Sequence, residues 1–187
     1  LKIIKLDESG YDEAVLGFSL SYNSTIIRSK ELLQKYAFGK PGENKFLESI
    51  YVWLDVTAPR FWWQEADTYR LATKQSESTM HTLSKHKVTN DDFEYPLNDF
   101  YLCQINLMID LYREKKITIS ELKNCLPEGF LQRRIWSMNY KCLQNIYNQR
   151  KTHRLVEWQI FIHKILEQIN HPEFLDVIYN KERFIIL

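Results

Sequence analysis

The sequence predicts an α+β fold. A few short segments alternate apolar and polar residues as strands do, several longer ones repeat at helical spacing, and glycine or proline breaks separate them. At 187 residues the chain is expected to form a single domain, residues 1–187, with a core that needs no disulfide.

The elements follow in order. KIIKL near the start reads as a short strand. Residues 12–22 and 28–38 carry apolar residues at helical spacing, with Leu32, Leu33, Tyr36 and Ala37 on one stripe. Gly39, Pro41 and Gly42 break the chain. In SIYVWLDV, Ile50, Val52, Leu54 and Val56 alternate with Tyr51, Trp53 and Asp55, which predicts a strand. Pro59 suits a helix start, and that helix is predicted to run from Arg60 to about Ala72. Residues 73–95 are polar and read as a loop too long for a plain connector. A helix from Leu97 to Lys115 carries Phe100, Cys103, Leu107, Ile109 and Leu111. Ser120 is expected to cap a short helix in ELKNC, closed by Pro127 and Gly129. RRIWSMNY reads as a strand, and YKCLQNIYNQR and LVEWQIFIHKILEQIN as helices. The last has an apolar stripe of Leu155, Trp158, Ile162, Ile165, Leu166 and Ile169.

Composition excludes several classes. A net charge of +1 supplies no global field for nucleic acid. No apolar run approaches the ~18 residues of a membrane span, and LKIIKLDESG lacks a signal peptide's apolar region. Cys103, Cys125 and Cys142 are odd in number with no CxxC pair, which fits a reducing, cytoplasmic setting. The five histidines lack metal-ligand spacing, so no metal is expected. There is no P-loop, no GxGxxG and no GxSxG elbow. The Trp62–Trp63 pair reads as core or subunit contact.

Two segments concentrate unusual polar content. In residues 58–81 a helix gives way to Ser76, Ser78 and Thr79, with Arg70 near the helix end. That pattern suits either a solvated loop or a phosphate cradle. In residues 126–158, Lys141 and Asn145 share one face of a helix that Gln149 continues, with Arg150 beside it. Such amide and cationic groups suit a planar ligand rich in carbonyls and ring nitrogens, or an ordinary charged surface.

Both segments resemble the flavin-dependent thymidylate synthase (ThyX) family. Its signature RHRxxSxNExSxRY is similar to TYRLATKQSESTMH, residues 68–81. Arg70 keeps the third position, Thr73 stands for the first serine, Gln75 for the asparagine, and Ser78 keeps the second serine. The family's Leu-Pro pair and its following Asn-x-Arg-x-Leu-x-x-Asn run resemble Leu126, Pro127, Asn139, Lys141, Leu143 and Asn145, then Arg150. HRLVEW, residues 153–158, looks like the family's His-Ala-Gln-Trp-Glu element with one residue added.

The resemblance implies a mixed β-sheet flanked by helices and a homotetramer with active sites between subunits. It implies reductive methylation of dUMP to dTMP, with methylenetetrahydrofolate giving the carbon, reduced FAD the hydride, and NADPH reducing the flavin. By position, Ser78, Gln75 and Lys123 fall on the nucleotide side, and Arg150 on the uracil ring as the catalytic group. Arg70, Thr73, Asn139, Lys141 and Asn145 fall on the cofactor. The departures are Thr68 and Tyr69 for the signature's Arg-His, Ser76 for its glutamate, and Met80 and His81 for its final Arg-Tyr. Loss of an arginine fork weakens bidentate phosphate recognition, which lysine replaces poorly. Those departures leave open a homologue that keeps the fold without turnover, or one that acts on a different pyrimidine nucleotide.

Overall fold

The computed structural model describes residues 1–40 and 42–176, so Pro41 of the expected break lies outside the described residues. The strands are β1 (Lys2–Ser9), β2 (Tyr51–Pro59), β3 (Ala72–Ser76) and β4 (Leu131–Asn139), in the sheet order β1-β2-β4-β3. The helices are α1 (Tyr11–Tyr22), α2 (Ile26–Ala37), α3 (Arg60–Ala66), α4 (Thr79–Thr82), α5 (Asp99–Arg113), α6 (Ile119–Asn124), α7 (Tyr140–Arg150) and α8 (Val156–Gln168). The α+β class is therefore observed.

The sheet is antiparallel, not mixed as the resemblance implied. At the exit of β2 the amides of Arg60 and Phe61 bond the carbonyls of Phe130 and Glu128, whereas at its entry the Ile50 carbonyl accepts from Tyr140. As β2 advances, its β4 partner retreats. The Glu77 amide reaches the Arg133 carbonyl, and Lys74 stands over the Trp136 ring, which gives β3 and β4 the same opposed sense. Gly10, just past β1, abuts Ser49, just before β2, so this pair is antiparallel too. Antiparallel neighbours need none of the right-handed crossovers that parallel strands require.

Contacts divide the chain into two compact units. The first comprises residues 1–2, 56–68 and 75–134. Its apolar cluster joins Leu83, Val88 and Phe93 to Ile105 and Ile109 of α5 and to Leu122 and Leu126. The Asn106 side chain pairs with both backbone groups of Val88 at 2.8 and 2.9 Å, tying the polar segment to α5. Thr118, not Ser120, caps α6, and Glu121 completes a capping box. A threonine followed three residues later by glutamate satisfies two helix-end donors at once, which outcompetes a cap farther along. Trp62 and Trp63 are fully buried, as core residues. The Trp63 indole donates to the Gln132 carbonyl at 2.9 Å, and the Arg134 guanidinium stacks on the same ring while pairing with Asp67.

The second unit comprises residues 3–55, 69–74 and 135–187, described to 176. Val52 and Leu54 of β2, Trp136 and Met138 of β4, and Phe161 and Ile165 of α8 are buried. Helix α7 is tied down by polar groups. The buried Gln144 amide donates to the carbonyls of Ala37 and Phe174, at 2.9 and 2.8 Å. Tyr140 donates to Glu8 at 2.7 Å, and burial, reinforced by that carboxylate, pushes its hydroxyl pKa far up. These bonds satisfy buried groups that would otherwise lose hydration.

Two boundaries differ from expectation. Helix α3 stops at Ala66, not near Ala72, because Tyr69 leaves the helical path and is buried edge-on against Trp158, ring centroids 6.1 Å apart. The predicted loop 73–95 begins inside a strand, β3, and contains helix α4. β3 sits at the sheet edge and is largely exposed, so it lacks the apolar alternation that announces a strand. Among the described residues, no helix is long and apolar enough to cross a membrane.

Candidate functional site

The first-unit candidates are Gln75, Ser78 and Lys123, all exposed. Ser78 sits at the N-terminal flank of the four-residue α4, with no side-chain cap bond. Lys123 lies in the last turn of α6. Among the described residues, no hydrogen bond joins these three side chains.

The second-unit candidates divide by role. Arg70 and Thr73 are exposed on either side of the entry to β3. Asn139 is the N-cap of α7: its side-chain oxygen accepts from the Cys142 amide at 2.9 Å. Lys141 is half-buried and donates to the side-chain oxygen of the buried Asn44. Lys141 and Asn145 are four residues apart, yet only Asn145 is exposed, where it accepts from Gln149 at 3.1 Å.

Arg150, at the end of α7, is the centre of an assembled cluster. Its Nε donates to the Tyr69 hydroxyl at 2.7 Å, and that hydroxyl donates to Gln149 at 3.0 Å. Nη1 meets His153 Nε2 at 2.9 Å. The guanidinium carbon lies 4.7 Å from the Trp158 ring centroid and 5.6 Å from that of Tyr69, within cation–π range. A planar guanidinium held on aromatic faces keeps an orientation that can recognise a planar carbonyl- and nitrogen-bearing partner.

Sequence reasoning placed Arg150, Asn145 and Gln149 correctly on one helix end. It missed Tyr69, His153 and Trp158 as the bed of Arg150. The available signal was the aromatic at the signature's second position, read there only as the loss of a cation. Of the basic residues near the signature, Arg134 is engaged by Asp67 and Gln132, and Lys74 by the Trp136 face and the Tyr69 carbonyl. Neighbouring Cys142 is pushed up in pKa by burial, against a partial pull down from Lys74. A cavity of about 570 Å³ between α1 and residues 42–49 is lined by none of the candidates.

The described elements form an α+β chain with a four-stranded antiparallel sheet, an asparagine-capped helix and a bedded arginine at that helix's end. The chain belongs to the thymidylate synthase complementing protein family, whose pattern matches residues 9–172. It is similar in fold to flavin-dependent thymidylate synthase ThyX from Helicobacter pylori, in two crystal structures complexed with FAD and dUMP. Each superposes with a TM-score of 0.79 at 18% identity, over 94% of this chain and 97% of that one. No curated protein matches the sequence significantly.

Proposed function

We propose that this chain, working as one thymidylate-synthase-complementing-like domain, is a flavin-dependent thymidylate synthase-like enzyme. It converts dUMP to dTMP by reductive methylation, with methylenetetrahydrofolate as carbon donor and NADPH as reductant of the flavin, as a cytoplasmic homotetramer. The observation that carries this reading is the bedded Arg150, at the position where the family run ends.

The donor set fits FAD in its chemistry. Asn145 and Gln149 present exposed amides on one face, and Arg70 an exposed cation that suits a pyrophosphate. Bound FAD supplies the hydride. The chain's own groups bind and orient, each unit taken by itself: family position assigns Arg150 of the second unit to the pyrimidine ring, and Ser78, Gln75 and Lys123 of the first unit to the nucleotide. Thr73 adds a hydroxyl on the cofactor side. Asn139 and Lys141 act chiefly by holding α7 in place, through the cap and through Asn44.

A second reading has support of its own. Arg134 is committed to Asp67, so it does not stand in for the lost signature arginine. A site with that weaker grip suits a different pyrimidine nucleotide.

The test is reconstitution of the purified protein with FAD, followed by dUMP titration of the flavin absorbance and mass analysis of the product. A protein that binds FAD and whose spectrum responds to dUMP supports the proposal. One that stays colourless and ignores dUMP refutes it. A product mass other than dTMP selects the second reading.

A further inference from the structure

Tyr69 stands where the signature has histidine, and the structure gives that change a purpose. The residue is 6% exposed, so its hydroxyl must find partners inside the protein. It finds two. It gives its hydrogen to Gln149 Oε1 at 3.0 Å and takes the Nε–H of Arg150 at 2.7 Å. Because Gln149 takes the hydroxyl hydrogen, the oxygen's lone pairs are left to face Arg150. Gln149 is itself steadied, its Nε2 donating to Asn145 Oδ1 at 3.1 Å. The chain Arg150–Tyr69–Gln149–Asn145 therefore runs in one sense, each group donating to the next.

The same ring does a second job. Tyr69 meets Trp158 edge-on with centroids 6.1 Å apart, and the guanidinium lies over both faces. Arginine has many rotamers, and ordering one on binding reduces affinity. Here the order exists beforehand.

We propose that Tyr69 is the positioning residue of Arg150: it fixes the guanidinium for the pyrimidine ring before the nucleotide arrives. The inference rests on the reading of Arg150 as the group that faces that ring. Tyr69 touches no reacting atom; it acts through Arg150.

The test has two arms, both on the full chain. In protein labelled with 15N-arginine, the Arg150 Nε–H exchange rate is compared between wild type and Tyr69→Phe. The expected result is a protected signal that exchanges at least ~10-fold faster in the variant, the size expected for one lost charge-assisted bond. In the second arm, dUMP is titrated into FAD-loaded protein. With FAD held at saturation in both proteins, Tyr69→Phe weakens dUMP by ~10-fold. In an Arg150→Ala background the same change has no further effect, because its route is gone. A merely structural role would give additive losses. An unchanged Arg150 signal in Tyr69→Phe, or additive dUMP losses, overturns the proposal. If wild type binds no dUMP, the proposed function falls, and the exchange arm alone decides the positioning.

Discussion

Asn139 separates two roles that family position and structure assign to one side chain. By resemblance it lines the flavin; in the structure its oxygen caps α7 by accepting from the Cys142 amide at 2.9 Å. The backbone at Asn139 is extended, at φ −85° and ψ 164°, as a cap requires. Replacing a capping side chain with alanine costs ~1 kcal/mol, within a range of about 0.5–2. Cys142 is buried, so water reaches its abandoned amide poorly and the upper half of that range applies. For a chain of this size, about 1–2 kcal/mol lowers Tm by roughly 3–6 °C. Asn139→Ser and Asn139→Asp keep an acceptor oxygen and should melt within about 2 °C of wild type, since both residues rank with asparagine as caps. The assay is a thermal melt of the three variants, with FAD titrated into each. A serine variant that melts as low as the alanine variant would sink the cap argument. A serine variant of normal stability that loses FAD shows the amide working twice, since a hydroxyl cannot replace both its donor and its acceptor.

Two glycines should respond to alanine with opposite signs. Gly10 has φ +89°, and a Cβ there would lie 2.1 Å from the Ser49 carbonyl oxygen, which is backbone. The left-handed conformation alone costs an alanine about 1–2 kcal/mol, and the clash adds to it, so Gly10→Ala should lose at least ~3 kcal/mol. Gly17 lies inside α1, and a Cβ added there would meet nothing within 4 Å, so Gly17→Ala should gain about 0.5–1 kcal/mol. Denaturant melts measure both, and equal effects would refute the geometry. Tyr140 makes a pH prediction. Its folded pKa is raised by burial and by Glu8, so its contribution is fully present below the unfolded value near ~10 and is lost as pH rises beyond it. Each such tyrosine steepens the loss by ~1.4 kcal/mol per pH unit above that point. Between about pH 10 and 11 the unfolded tyrosine is only partly ionised, so Tyr140→Phe should flatten the slope there by about 1 kcal/mol per pH unit, and an unchanged slope in melts over that range would count against it.

The long elements were legible because local pattern and tertiary packing agree. Val52 and Leu54 alternate in the sequence and are buried in β2; Trp158, Ile162 and Ile165 recur at helical spacing and are buried on α8. The α6 cap lies two residues before the expected Ser120, at Thr118, which with Glu121 carries the capping-box spacing openly. β3 was invisible for a different reason. An edge strand exposed on most of its length has no apolar period to read, and its existence depends on the backbone groups that β4 offers.

The candidate site divides the same way. Residue types along α7, from Asn139 to Arg150, were set by the sequence alone, and so was their order on one helix. Their jobs were not. Asn139 and Lys141 turned to capping and anchoring because the Cys142 amide and Asn44 came within reach only after folding. Tyr69 lies 81 residues from Arg150, and no local rule links positions so far apart. Burial of Tyr69 against Trp158 brings its hydroxyl to the Arg150 guanidinium, and a buried hydroxyl takes the strongest partner within reach. Residue order alone sets which groups the helix end carries. Folding sets which of them are held still, because only burial makes an unpartnered polar group costly enough to enforce the choice.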